Sequence, residues 1–131
     1  MDAGMISDAG LAEAALAAGL LDACDRLEEA DVALVEHFVQ RFGLAEDKAR
    51  SLARLAQEET QASVDAFDAA HRVNLHTNIN ARREIVRSLW KLVRDADLPS
   101  NIANTYVERV AILFEMTGRD AIDLKRGLSK S

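Results

Sequence analysis

Apolar residues recur at helical spacing along almost the whole chain, and segment 80–97 shows the pattern most clearly. One face of a helix with 3.6 residues per turn would carry an apolar stripe that includes the only tryptophan: Ile85, Val86, Leu89, Trp90 and Val93. The opposite face would be basic: Arg82, Arg83, Arg87, Lys91 and Arg94. This two-sided pattern predicts the helix around which the other segments assemble.

Six further segments show the same periodicity, and turn-forming residues separate them. These predicted helices span about 7–24, 30–42, 46–58, 64–76, 101–115 and 117–126. Asn80 and Ser100 are the predicted N-caps of two helices, and Thr117 with Asp120 has the spacing of a capping box. The sequence therefore predicts an all-α fold of about seven helices in a single bundle. A flexible N-terminus over residues 1–8 precedes one helical domain over residues 9–131.

The chain also aligns with itself when it is shifted by 72 residues. Residues 20–52 then match residues 92–124 without a gap, with identities such as Asp25 with Asp97 and Val35 with Val107. This register predicts an internal two-fold repeat of helix-turn-helix units, packed face to face, with one acidic turn in each. The alternative is chance similarity between amphipathic helices, and two copies are too few for a solenoid.

Composition limits the classes of partner. The 22 acidic and 16 basic residues give a net charge of −6, which opposes binding to nucleic acid or to an anionic membrane. The basic face of segment 80–97 is interleaved with Glu84 and Asp95, so we interpret it as a solvated face, with a phosphate-binding patch as the alternative.

Cysteine usage and the N-terminus predict the location. The single cysteine, Cys24, fits a reducing compartment and is interpreted as a small buried residue. The acidic N-terminus lacks the basic region of a secretory signal, and the apolar run near residue 11 is too short to span a bilayer. We therefore expect a cytoplasmic protein without a transmembrane segment.

Carboxylates cluster at the turns between helices, and calcium and magnesium prefer oxygen ligands. The candidate metal ligands are Asp25, Glu28, Asp31 and Asp97. The alternative is that these acids are solvated, because acids near helix N-termini are favourable without any metal. Neither turn has the spacing of an EF-hand loop.

Other candidate sites have weaker support. Asp68 and His71 lie one helical turn apart, as in half of a carboxylate-bridged di-metal bundle, but no second pair accompanies them. His37 and His76 are interpreted as surface histidines. The sequence contains no catalytic triad spacing, P-loop or dinucleotide-binding motif. We therefore expect a protein that is not an enzyme. We also expect no cofactor other than a divalent cation at the acidic turns.

The order of these features resembles the TerB-like family, the all-helical domains named for bacterial tellurite resistance. Members typically have an Ala-Asp-Gly turn, an acidic residue and a glutamate just inside the next helix, once in each half. A Leu-Trp pair precedes the second turn. The matching stretches here are 23–31, 41–44, 83–97 with Leu89-Trp90, and 107–126. The resemblance covers about residues 11–128.

Departures from the family pattern fall on the turns. The family's turn aspartate is Cys24 in the first unit and is retained as Asp97 in the second, whereas the turn glycine is replaced by Asp25 and deleted after Asp97. The helix glutamate corresponds to Asp31 in the first unit and has no counterpart in the second. If the family's turns bind divalent cations, this chain has lost about half of the ligands.

The resemblance implies a bacterial-type helical domain that acts as a binding or scaffold module for a protein partner, linked to tellurite or another stress response. The first alternative is a divalent-cation sensor that uses the acidic turns. The second is a helical di-metal carboxylate enzyme. A second copy of the chain is a further candidate partner, because the alanine-rich first helix can pack closely against another helix.

Overall fold

The computed structural model describes residues 8–26, 30–61 and 66–129, and these residues form seven helices without any strand. The helices are α1 (Asp8–Ala23), α2 (Ala30–Phe42), α3 (Glu46–Gln61), α4 (Ala66–His76), α5 (Ile79–Asp95), α6 (Ser100–Leu113) and α7 (Gly118–Ser129). The predicted all-α class is confirmed. The predicted flexible N-terminus lies largely outside the described residues. No helix in the described part of the chain has the length and apolar content to cross a membrane.

Helix α1, rather than α5, is the centre of the bundle. It packs against α2, α3, α4, α5 and α6, whereas α5 contacts α1, α2, α6 and α7. Every residue from 12 to 18 is buried, so α1 is enclosed on nearly its whole circumference. The expectation that segment 80–97 is central is therefore wrong. The alanine-rich face of α1 is likewise not available to a second copy of the chain, because it is already buried.

Helix α5 places its apolar stripe as the sequence predicts. Ile85, Val86, Leu89 and Trp90 are buried, and Val93 is partly buried. The indole Nε1 of Trp90 donates a hydrogen bond of 2.9 Å to the carbonyl oxygen of Ala121. This bond fixes α5 against α7 and satisfies the polar end of a buried aromatic ring.

Arg82 departs from the predicted basic face. Its side chain is only 12% exposed and lies against the carboxyl ends of α4 and α6. The guanidinium donates hydrogen bonds to the carbonyl oxygens of Asn74 at 3.1 Å, Thr77 at 2.9 Å and Phe114 at 3.5 Å. These carbonyls lack partners within their own helices, so Arg82 caps two helix ends at once.

One of the three predicted N-terminal helix caps is confirmed. Thr117 and Asp120 form the predicted capping box, since each donates a backbone amide to the other's side chain, at 3.2 and 3.0 Å. These hydrogen bonds hold the pKa of the Asp120 carboxyl below its ordinary value.

The other two predicted caps are wrong. Helix α5 is capped by Asn78, whose side-chain oxygen accepts the amide of Ala81 at 2.9 Å, and Asn80 lies inside the helix. Pro99 occupies the N-cap position of α6 and offers no side-chain hydrogen bond, so Ser100 is already helical.

The turns after α1 and α5 have the same backbone geometry. In each turn, a residue in the left-handed region follows the helix: Asp25 with φ 57° and Asp97 with φ 52°. The next amide closes the turn on the helix, from Arg26 to the carbonyl of Leu21 at 2.8 Å and from Leu98 to that of Val93 at 3.0 Å. These bonds are 72 residues apart, as in the predicted register. The duplication itself stays a prediction.

A second pair of positions in this register also shares its backbone conformation. Gly43 after α2 has φ 66°, and Glu115 after α6 has φ 67°. Glycine adopts this region without cost, whereas a residue with a Cβ atom is strained in it. Only the first of the two positions therefore has the residue type that the turn favours.

Gly43→Ala should lower the free energy of unfolding by about 1 to 2 kcal/mol, because alanine is strained at this φ. The measurement is urea unfolding followed by circular dichroism. Nothing lies within 4 Å of the added Cβ atom, so a loss reports the backbone and not a clash.

Gly127→Ala is the control, since Gly127 lies inside α7 and an added Cβ atom there is equally uncrowded. Helix propensity predicts a gain of up to about 1 kcal/mol for this control. Equal effects of the two substitutions would contradict the assigned conformation of Gly43.

Candidate functional site

The two acidic turns lie next to each other at one end of the bundle. Arg26, in the first turn, donates hydrogen bonds of 3.4 Å from its two terminal nitrogens to the carbonyl oxygens of Ala96 and Asp97 in the second. Asp25 and Asp97 are both exposed. The fold therefore brings together two acids that are 72 residues apart in the sequence, and it places a cation between their turns.

The other two predicted metal ligands are not located by the structure. Glu28 lies outside the described residues, and Asp31 lies in the first turn of α2 with a side chain that is not described. Among the described residues, no group of three histidine, cysteine, aspartate or glutamate side chains is arranged to hold a metal ion. Asp25, Glu28, Asp31 and Asp97 thus remain a predicted ligand set.

The backbone revises how the turns compare with the family pattern. The resemblance places a deleted glycine after Asp97, but Asp97 itself adopts the left-handed conformation that a turn glycine would have. Asp97 is therefore the counterpart of Asp25, and Ala96 is the counterpart of Cys24. In both turns an aspartate adopts the left-handed conformation, and the residue before it is not acidic.

The remaining sequence candidates do not form a reactive site. Asp68 and His71 are both exposed on α4 rather than directed into the bundle. Cys24 is buried, and burial raises the pKa of its thiol, which disfavours the nucleophilic thiolate. The interpretation of Cys24 as a small core residue is confirmed.

A groove with a volume of about 420 Å³ runs between α2 and α5, and half of the residues that line it are arginine or lysine. We call it the basic groove and define it by four cations with a histidine and a serine: Arg41, Arg87, Lys91, Arg94, His37 and Ser88. Arg87 and Arg94 are exposed, Lys91 is partly buried and Ser88 is buried. Glu84 is the carboxylate that also lines the groove.

Carboxylates offset the four cations unequally. Arg41 forms a two-pronged ion pair with buried Glu13, with Nε to Oε2 at 2.6 Å and Nη2 to Oε1 at 3.1 Å. Arg87 lies 3.9 Å from Glu84, and Arg94 lies 3.1 Å from Asp95.

Lys91 makes no ion pair or hydrogen bond with any residue that the structure describes. Its charge reaches the groove without a carboxylate in direct contact with it. The α5 side of the groove therefore carries a cation, Lys91, that no described carboxylate pairs with.

His37 lies partly buried in the basic groove and is not the surface histidine that the sequence predicted. Burial is the largest cause that lowers its pKa to about 4; the charges of Arg41 and Lys91 act in the same direction, and Asp95 opposes the shift. The imidazole is therefore neutral at pH 7. A proton on His37 is disfavoured by the same cations that would attract an anion.

Sequence reasoning identified one wall of this groove and missed the other. The basic face of α5 was visible from its spacing, but His37 and Arg41 on α2 are about fifty residues away in the chain. Only Arg41 could have been noticed in the sequence, as a cation in the last turn of its helix. A cation there is explained equally well by a favourable interaction with the helix dipole and by a binding site.

Comparison with known proteins identifies a family for the chain, but it finds no individual protein that matches significantly. The sequence profile of the family described as "Tellurite resistance protein TerB" matches residues 10–126, which is most of the chain. The chain has no significant match among curated proteins or among solved structures.

Proposed function

The chain belongs to the TerB family, and from this premise we propose that it is a non-enzymatic binding module that serves as a scaffold for a protein partner. The name of the family supports a place in tellurite resistance or a related stress response. The observation that carries the proposal is the joining of the two acidic turns. Asp25 and Asp97 are exposed on turns that Arg26 ties together, so both halves contribute to one surface.

A joined pair of turns suits protein recognition. The backbones of both turns are fixed by hydrogen bonds to the preceding helices, so little conformational entropy is lost when a partner binds. The exposed carboxylates favour a partner segment with basic residues, since complementary charge selects partners and speeds their encounter.

The second candidate function is a divalent-cation sensor, and the same exposed carboxylates favour it. Arg26 opposes it, because its guanidinium already takes the carbonyl oxygens of Ala96 and Asp97 that a calcium ion would use. A cation bound there must also overcome the repulsion of that fixed positive charge.

The test removes the charge from both turns and keeps their backbone. The double variant Asp25→Asn and Asp97→Asn fits this purpose, because asparagine also tolerates left-handed φ. Immobilised wild-type chain is expected to retain a partner from an extract of the source cells, and the double variant is expected to lose it. The measurement is mass spectrometry of the retained proteins.

The control is the double variant Glu58→Gln and Asp123→Asn, which removes two exposed charges elsewhere. Retention of the same partner by all three proteins would contradict a binding surface at the turns. The same proteins also separate the two candidate functions by titration with calcium, magnesium, manganese and zinc.

A scaffold predicts no change in the thermal midpoint at millimolar metal. A sensor predicts a rise, because a ligand at one hundred times its Kd stabilises the native state by about 2.7 kcal/mol. In the sensor case the double variant in the turns would lose this rise, while the control variant would keep it.

A further inference from the structure

We propose that the basic groove between α2 and α5 is a binding site for a phosphate-class oxyanion. This site is separate from the acidic turns and goes beyond the proposed scaffold function. The groove combines three features that such an anion requires: a concave surface, clustered cations, and neutral hydrogen-bond donors between them.

The cations stand on one face of α5 at helical spacing. Arg87 and Lys91 are four residues apart, and Arg94 follows three residues later, so their side chains are neighbours. Two guanidinium groups and one ammonium can therefore converge on a single anion. Arginine offers a planar fork that matches two phosphate oxygens, and lysine adds a point charge.

The ion pairs that hold Arg87 and Arg94 are exposed and weak. The pair of Arg87 with Glu84 spans 3.9 Å with both side chains about half exposed, and the pair of Arg94 with Asp95 is exposed to a similar degree. Exposed pairs of this kind contribute little to stability, so exchanging them for an anion costs little. Arg41 differs, since Glu13 holds it in place as a fixed part of the wall.

The opposite wall supplies uncharged donors. His37 is neutral at pH 7 and has one ring N–H to donate, and the amide of Gln40 lines the same groove. An anion bound between these groups and Lys91 would cancel much of the positive field at His37. Its arrival is therefore expected to raise the pKa of His37, which gives the site a spectroscopic signature.

The first measurement is an NMR titration of the whole chain with inorganic phosphate, at constant ionic strength set with chloride. Saturable shifts are expected in the amides of residues 87–94 and in the ring signals of His37, with a higher pKa for His37 in saturating phosphate. The absence of saturable shifts at tens of millimolar phosphate would overturn the proposal.

Four variants test whether the groove itself is responsible. Lys91→Gln and Arg87→Gln should each weaken phosphate binding about tenfold, because each removes one charge-assisted contact. Lys48→Gln and Arg54→Gln remove the same charges from exposed positions on α3 and should leave the affinity unchanged. Equal weakening by all four would show general charge screening only, and it would overturn the site.

A second arm distinguishes free phosphate from a phosphorylated lipid headgroup. The probe is phosphatidylcholine vesicles with and without phosphatidic acid, analysed by co-sedimentation. The lipid headgroup is supported as the source of the phosphate if sedimentation requires phosphatidic acid. Inorganic phosphate should then displace the chain from the vesicles, and Lys91→Gln should abolish sedimentation. Phosphate binding without sedimentation supports the free anion. Sedimentation that neither phosphate nor Lys91→Gln affects would count against the groove as the lipid site.

Discussion

Arg41→Met is expected to lower the free energy of unfolding by about 3 kcal/mol at pH 7, because it leaves the Glu13 carboxylate without its cation. Glu13 is 6% exposed within the central helix α1, and both of its oxygens accept hydrogen bonds from Arg41. Methionine keeps much of the side-chain volume, so the loss reports charge rather than packing. Urea unfolding measures it.

The pH dependence of this loss follows from the pKa of Glu13. Burial raises that pKa above its ordinary value even though Arg41 lowers it, and removing Arg41 raises it further. Between the ordinary and the folded-state pKa the native state binds more protons than the unfolded state, so stability falls as pH rises. The difference between wild type and Arg41→Met should therefore grow from acid to neutral pH and be smallest where Glu13 is protonated.

Two controls isolate the buried pair. In a Glu13→Gln background, Arg41→Met should cost less than about 1 kcal/mol, since no buried charge remains. Arg50→Met removes an arginine from the exposed pair with Glu46 and should have a much smaller effect. A loss of the same size with and without Glu13 would refute the role assigned to the ion pair.

Gly19→Ala is expected to destabilise the protein by about 2 kcal/mol, although the same change usually stabilises a helix. A Cβ atom at position 19 would lie 2.5 Å from the hydroxyl oxygen of Tyr106 on α6. That hydroxyl donates a hydrogen bond of 2.8 Å to the carbonyl oxygen of Leu16 on α1. The substitution must therefore displace Tyr106 or separate the two helices.

A double-mutant cycle tests this contact directly. With Tyr106→Phe the hydroxyl is gone and the nearest ring carbon, Cζ, lies 3.4 Å from the added Cβ atom, which is ordinary packing. Gly19→Ala should then be neutral or stabilising, so the coupling between the two sites should exceed about 1 kcal/mol. Additive effects would mean that the close approach of Gly19 and Tyr106 does not determine the packing of α1 on α6.

Helical periodicity predicted the elements well because a stripe such as that of α5 repeats the same information over several turns. Helix ends depend on one side chain and carry less information. Asn78 and Asn80 are both good caps that residue type does not distinguish, and Asn78 is the one used. The position of Arg82 on the polar face of α5 wrongly predicted an exposed side chain. Its long side chain instead donates hydrogen bonds to carbonyl oxygens at the carboxyl ends of α4 and α6.

The central position of α1 was hidden for a different reason. A helix that is apolar on all sides has no amphipathic stripe, and alanine hardly distinguishes a buried face from an exposed one. Segment 80–97 was more conspicuous because one of its faces is solvated. An amphipathic stripe marks a helix at the edge of a core, whereas a helix that is apolar on all sides lies inside it.

The sequence predicted only those parts of the candidate sites that lie within a single segment of the chain. Each acidic turn was visible in the sequence, but the contact of Arg26 with Ala96 and Asp97 depends on how the two halves pack. The basic groove needs His37 and Lys91 to face each other across two helices. No pattern within either helix encodes that relation.

The burial of α1 also bears on how the chain is made. During synthesis α1 is complete long before α4 and α6, two of the helices that cover it, and translation adds only about 5–20 residues per second. Part of its alanine and leucine surface therefore stays uncovered for roughly several seconds, until these later helices are made. Contacts of such long sequence separation slow folding and expose the nascent chain to aggregation, and α1 is the helix whose apolar surface is exposed longest.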